Sequence, residues 1–269
     1  MSQVRREIVK VLFQKRTYVG WAGLLAVPVI MTLALRLSAS KPPSGEGPPF
    51  FSSITGNGIF VPVAALATLS FFLLPLVSSM TGSFVVAGEA ELGTLKTLLT
   101  QPVTRGGVLL AKWFVAVLYV AVGLLLVGIG GFVAGWLVFG LRPLTTLSGG
   151  ELGIAHGAGL IALGYLITLL AMTCIVSLAV FLSTLSNSSL TAAVGSLVVV
   201  LVLEALGQFS TFDFISPYFF TSHLQDWFNL LRQPIPWHPI RDALIVFAVT
   251  ILALTAAAWA VFRRKDVLS

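Results

Sequence analysis

Apolar positions in this chain gather into six long runs separated by short polar segments. The runs cover about residues 18–37, 59–82, 110–140, 154–183, 188–206 and 241–262. Each run is close to or longer than the roughly 20 residues that a helix needs to cross a hydrocarbon core about 30 Å thick. The pattern predicts an all-α polytopic membrane protein with six transmembrane helices, forming a single transmembrane domain over residues 1–269.

The segment before the first run has helical periodicity of its own. Its apolar positions share one face and its polar positions lie around the rest: Val4, Ile8, Val11 and Leu12 against Arg5, Arg6, Lys10 and Gln14. Amphipathic helices of this kind lie along a membrane interface, with the apolar face in lipid and cations toward anionic headgroups. We therefore predict an interfacial amphipathic helix over residues 1–17.

Aromatic and proline residues crowd the segment 207–240, between the fifth and sixth runs. Its aromatic residues are Phe209, Phe212, Phe214, Tyr218, Phe219, Phe220, Trp227, Phe228 and Trp237. Because aromatic rings with a polar edge favour the membrane interface, we expect this segment to lie at the outer leaflet or to re-enter it. Four prolines are expected to interrupt it: Pro217, Pro234, Pro236 and Pro239.

Proline and glycine also occur inside the predicted spans. Pro62 and Pro75 lie in the second span, where we expect them to bend the helix. Gly128, Gly130, Gly131 and Gly135 lie in the third. Glycines in an apolar helix are typical of a surface on which another helix packs closely, and we predict such a surface here.

Charge narrows the class of protein and predicts its orientation. Only 10% of the residues are charged, against roughly 25% in a typical soluble domain. The cations form short clusters beside the apolar runs, which excludes the gathered basic face of a nucleic-acid-binding protein. The segment before the first span, the loop after the second and the tail hold 11 of the 16 Lys and Arg residues. The positive-inside rule then places both termini in the cytoplasm.

The loop after the second span carries a further pattern. Leu92, Leu95, Leu98 and Leu99 recur at helical spacing after two acidic residues, Glu89 and Glu91. Pro102 ends the pattern because proline lacks the backbone N–H that the helix would need. We predict a short cytoplasmic helix over 88–102 with an exposed leucine stripe. It could rest on the membrane end of its own chain or dock onto a cytosolic partner.

This loop resembles that of the permease subunits of bacterial ABC-2-type ATP-binding-cassette transporters. Their pattern here is an acidic pair, Gly-Thr-Leu, two leucines, Pro-Val-Ser/Thr-Arg and a lysine at the start of the third span. The matching residues are Glu89 and Glu91, Gly93-Thr94-Leu95, Leu98-Leu99, Pro102-Val103-Thr104-Arg105 and Lys112. The ending Phe262-Arg263-Arg264-Lys265-Asp266 is also similar to the family's.

The resemblance implies a type V exporter-like permease in the bacterial inner membrane, paired with a second copy or a related permease. Separate cytosolic ATPase subunits would grip the loop, which makes 88–102 a coupling helix, and would drive export. The residues implied to dock the ATPase are Glu89, Glu91, Leu92, Gly93, Thr94, Leu95, Leu98, Leu99, Pro102 and Arg105. No cofactor is expected in this chain, and ATP and Mg²⁺ would be bound by the ATPase partner. The sequence lacks the Gly-Lys-Ser/Thr loop that cradles phosphates, so we expect no enzymatic activity in the chain itself.

Glu204 is the acidic residue near the outer end of the fifth span. A charge within a membrane needs water or a partner, so we expect Glu204 to line a pathway, to pair with Arg232 or Arg241, or simply to reach water at the interface.

The sequence leaves two other functional classes open for the protein. They are a secondary transporter and a membrane assembly protein without an ATPase partner.

Overall fold

The computed structural model describes residues 3–38, 57–91, 105–145 and 150–264, and these ranges form nine α-helices. The helices are α1 (Gln3–Leu12), α2 (Lys15–Ser38), α3 (Phe60–Phe71), α4 (Leu73–Ser83), α5 (Ala87–Glu91), α6 (Arg105–Phe139), α7 (Ile154–Leu185), α8 (Ser189–Leu206) and α9 (Trp237–Arg264). Strand β1 (Leu144–Thr145) pairs antiparallel with β2 (Glu151–Leu152), with Leu144 opposite Leu152. Four short 3-10 helices connect α8 to α9: Ser210–Phe212, Ser216–Tyr218, Phe220–His223 and Asp226–Leu231.

Five of the described helices are long and apolar enough to cross a membrane unbroken: α2, α6, α7, α8 and α9. Helices α3 and α4 form a sixth crossing if the bent pair counts as one span. The predicted all-α polytopic fold is confirmed. Helix α6 has 35 residues, and at 1.5 Å per residue it is about 52 Å long. It therefore extends well beyond a hydrocarbon core.

The second span is bent by 58° between α3 and α4. The break lies at Phe72, whose backbone is at φ −140° and ψ −47°. Pro75 follows three residues later, and its missing N–H leaves the carbonyl of Phe71 without its usual i−4 donor. The bend expected from Pro75 is present. Pro62 does not bend the span, because it lies in the first turn of α3, where no intrahelical N–H bond is lost.

Helix α7 lies at the centre of the bundle and packs against α4, α6, α8 and α9. It packs tightly on α4 at Gly82, where an added Cβ atom would lie 2.7 Å from the Cβ of Ala179. The predicted close-packing glycines of α6 are confirmed where α6 meets the start of α3. An added Cβ at Gly135 would lie 2.2 Å from the carbonyl oxygen of Gly58, and one at Gly131 would lie 2.9 Å from the Cα of Pro62.

We expect Gly135→Ala to destabilise the protein by about 1–3 kcal/mol, because the new methyl group must push the Gly58 backbone away. Thermal unfolding of the detergent-solubilised chain measures the effect. Gly159→Ala is the matched control, since a Cβ there meets nothing within 4 Å. Equal unfolding temperatures for the two variants would show that α6 does not need this close contact.

The segment between α8 and α9 packs partly onto the bundle. Trp227 and Leu231 are buried, and the last two 3-10 helices contact α7 and α9. Tyr218 remains exposed. One expectation is corrected here: Pro239 does not interrupt the segment, since α9 already begins at Trp237. A proline is tolerated in the first turn of a helix, where its missing N–H has no intrahelical partner to lose.

Helix α1 is amphipathic as predicted, and its apolar face has a partner within the bundle. That face packs against α6, and Val4, Ile8 and Val11 are half-buried. The helix ends at Leu12, which is 41% exposed, and a short turn leads into α2 at Lys15. A neighbouring helix removes apolar surface from water just as a bilayer does. Amphipathicity alone therefore does not specify whether the apolar face of α1 packs on protein or on lipid.

Candidate functional site

A cluster of four charged side chains joins α1, α5 and α6. Glu89 of α5 is 5% exposed and is the centre of the cluster. Its Oε1 accepts hydrogen bonds from Lys10 of α1 and from Lys112 of α6, the latter at 2.6 Å. Lys112 also lies 3.1 Å from the Oε1 of Glu7. Two carboxylates and two ammonium groups thus balance one another, which a buried charge requires.

The environment of Glu89 keeps it ionised. Burial alone would raise the pKa of this carboxyl, but the charge of Lys112 and the hydrogen bonds from Lys10 and Lys112 outweigh it. The pKa is therefore lowered. At neutral pH Glu89 is a carboxylate held by two ammonium groups that come from different helices.

The second acidic residue, Glu91, contacts the start of α8. The backbone N–H of Ser189 donates to its Oε1 at 3.1 Å, and the Ser189 hydroxyl donates to its Oε2 at 2.5 Å. The side-chain hydrogen bond from Ser189 lowers the pKa of the Glu91 carboxyl. A carboxylate at the N-terminus of a helix also satisfies an N–H that has no intrahelical acceptor.

A fourth helix contacts the same region through Ser183, near the end of α7. The Ser183 hydroxyl accepts from the backbone N–H of Ala87 at 2.8 Å and donates to the carbonyl of Ser83 at 2.7 Å. The connection from α4 to α5 is therefore fixed to α7. Together these contacts tie α5, which immediately precedes residues 92–104, to α1, α6, α7 and α8.

The residues predicted to dock an ATPase fall into three groups. Leu92, Gly93, Thr94, Leu95, Leu98, Leu99 and Pro102 lie outside the described residues, as does most of the predicted helix 88–102. Arg105 is the first residue of α6. Glu89 and Glu91 are described with their side chains. The burial of Glu89 gives it contacts within its own chain, in place of the exposed docking surface expected of it, whereas Glu91 is exposed.

Sequence reasoning named Glu89, Glu91 and Lys112 but missed two of their partners. Lys10 was assigned only to the polar face of α1, and Glu7 was not singled out. Glu7 could have been found, because it lies three residues after Val4 and four before Val11, on the face that packs against α6. A carboxylate on an apolar helix face is the signal of a buried partner.

A cavity of about 500 Å³ adjoins the cluster. It is enclosed by α1, the start of α2, α4, α5 and α6. Charged residues line one end, and apolar residues such as Val77 of α4 and Val115 of α6 line the remaining wall.

Glu204 lies near the end of α8 and is half-buried. Among the described residues no ion pair joins it to Arg232 or Arg241. The Arg241 guanidinium instead lies 3.1 Å from the Asp242 carboxylate. The expected pairing is therefore not formed, and a pathway role for Glu204 stays a prediction.

The fold defines the chain as a multi-pass helical membrane protein in which α5, the short helix after the second span, is tied to four other helices. Comparison with protein-family models assigns it more narrowly: the model of the ABC-2 family transporter protein matches residues 13–267. The chain belongs to this family.

Curated relatives match over a shorter segment. The chain is 45% identical over 51 residues to the probable ABC transporter permease protein NosY of Stutzerimonas stutzeri. It has the same identity over 51 residues to the protein of that name in Pseudomonas aeruginosa. The aligned segment covers 19% of this chain and 18% of each relative.

Proposed function

We propose that this chain is the transmembrane permease subunit of an ATP-driven ABC exporter. It forms the substrate pathway as a dimer, with a second copy or a related permease. Separate cytosolic ATPase subunits bind ATP and Mg²⁺ and supply the energy. Both termini lie in the cytoplasm of a bacterial cell, and the spans cross the inner membrane.

The observation that carries the proposal is the attachment of α5 to four other helices. A force applied to residues 92–104 by a partner reaches α5 through Glu91 or α6 through Arg105. From Glu89 it passes to α1 and α6 through two ammonium groups, and from Glu91 it passes to the N-terminus of α8. Membership of the ABC-2 family supports a permease role for such a loop.

In this mechanism Glu89 and Lys112 are positioning residues. Neither touches the ATPase or the transported molecule. Their ion pair holds α5 against α6, so that movement of the loop becomes movement of the third span and is not lost in local bending. Helix α4 lies between the 58° bend and α5, so it would move together with the loop. Closure of the ATPase subunits would in this way alter the packing of the second and third spans together.

Purification of the tagged chain from its native host in mild detergent, followed by mass spectrometry, tests the proposal. We expect a soluble ATPase subunit in stoichiometric amount, and ATP hydrolysis by the purified complex. A chain that purifies alone, or with partners that lack ATPase activity, would contradict the proposal. A secondary transporter or a membrane assembly protein would then be the better interpretation.

A further inference from the structure

We infer that the cavity beside the charge cluster binds an amine-bearing phospholipid from the cytoplasmic leaflet of the membrane. Its volume of about 500 Å³ falls within the range of about 300–1,000 Å³ typical of small-molecule sites. That is enough for a headgroup and the first part of the acyl chains. The inference rests on the proposed function only in placing α1 and α5 at the cytoplasmic surface.

The lining of the cavity changes from charged at one end to apolar further along, as a phospholipid changes from headgroup to acyl chain. Its charged end is formed by Glu7 and Lys10 of α1, Glu89 and Glu91 of α5, and Lys112 of α6. Apolar side chains follow on three helices of the spans, α2, α4 and α6. On α6, Val115 and Tyr119 lie one and two turns beyond Lys112, so the apolar wall continues for about 10 Å along the helix.

The cavity also opens toward the lipid-facing surface. Val19 of α2 and Met80 of α4 both line it, and they are 72% and 44% exposed. Acyl chains that exceed the cavity can leave between these two helices and continue along the outer surface of the bundle. A polar, soluble metabolite would gain no binding energy from such an apolar opening.

Charge in the lining selects the headgroup. The described residues around the cavity contribute three carboxylates and two ammonium groups. Glu7 and Glu89 are matched by Lys10 and Lys112, whereas the described contacts of Glu91 are with serines. A protonated amine therefore has an available carboxylate at Glu91. The Lys10 side chain is 47% exposed, so its ammonium group can also meet a phosphate.

This arrangement favours a headgroup with a phosphate and a primary amine, as in phosphatidylethanolamine. The phosphate would lie near Lys10 and the amine near Glu91. An anionic headgroup without an amine, as in phosphatidylglycerol, would meet Lys10 but leave Glu91 without a cation and would be repelled by it.

Native mass spectrometry of the purified full chain, with equal amounts of phosphatidylethanolamine and phosphatidylglycerol, tests the inference. We expect at least about fivefold more of the phosphatidylethanolamine adduct. Val77→Trp fills the cavity and should abolish that adduct. Leu125→Trp, a change of the same kind at a 61% exposed position of α6 that does not line the cavity, should retain it. Glu91→Gln should bind both lipids equally.

Two results would overturn the inference. One is an equal adduct on the Val77→Trp and Leu125→Trp variants, which would place the lipid elsewhere on the surface. The other is the absence of adducts together with a complete disulfide between Val77→Cys and Leu95→Cys, because the chain's own residues 92–104 would then occupy the cavity. Since the assay uses the isolated chain, a failed ATPase pull-down would not affect it.

Discussion

Lys112→Met is expected to destabilise the protein by about 3–5 kcal/mol and to uncouple it from its ATPase. Removal of one partner from a buried ion pair leaves the other charge uncompensated. Here two carboxylates are affected, because the Lys112 ammonium lies 2.6 Å from Glu89 and 3.1 Å from Glu7. Lys10 would then be the remaining cation of the cluster, and its own helix, α1, is held in place by the same ion pairs. Thermal unfolding in detergent and ATP-dependent transport by the reconstituted complex measure the two effects.

The charge balance of the cluster supplies controls for this prediction. Lys15→Met removes an exposed cation at the start of α2 and should leave stability nearly unchanged. The double variant Glu89→Gln with Lys112→Met keeps one charge of each sign, Glu7 and Lys10. It should therefore lose less stability than the sum of the two single variants, by about 0.5–3 kcal/mol. Strict additivity would mean that Glu89 and Lys112 do not act as a pair.

Leu95→Asp is expected to abolish binding of the ATPase partner while leaving membrane insertion intact. Its position on the predicted leucine stripe would place a carboxylate against an apolar groove, which costs several kcal/mol. Each 1.4 kcal/mol weakens binding tenfold, so we expect an affinity loss of at least about 100-fold. Co-purification of the ATPase with the tagged variant measures the loss, and the amount of variant in the membrane fraction measures insertion.

Thr97→Asp is the matched control for this change. It adds the same charge to the same segment, but two residues from Leu95 and therefore on a different face of the predicted helix. We expect it to retain the ATPase. Equal retention by both variants would show that the leucine stripe is not the docking surface, and equal loss would show that the segment tolerates no added charge on any face.

Most of the fold could be predicted from the sequence because membrane spans are a local property. A helix that crosses a bilayer needs about 20 apolar residues wherever it lies in the bundle, and the predicted run 154–183 lies within α7 accordingly. The prolines show what the local sequence does not predict, which is whether a given proline bends a helix or only begins one. Pro62, Pro75 and Pro239 are each the third residue of a helix. Only Pro75 coincides with a bend, because only its helix, α4, directly follows another helix of the same span, so that the missing N–H interrupts a longer run of helical hydrogen bonds.

The sequence by itself determined the class of protein, the approximate spans and the loop with its acidic pair, since each depends on neighbouring residues. Only the tertiary structure decided what that pair contacts. Glu89 meets a lysine 23 residues later and another 79 residues earlier, and Glu91 meets a serine 98 residues away. Periodicity cannot specify which helix faces which. The energy of a buried carboxylate depends on cations that only the packing of α1 and α6 brings within reach.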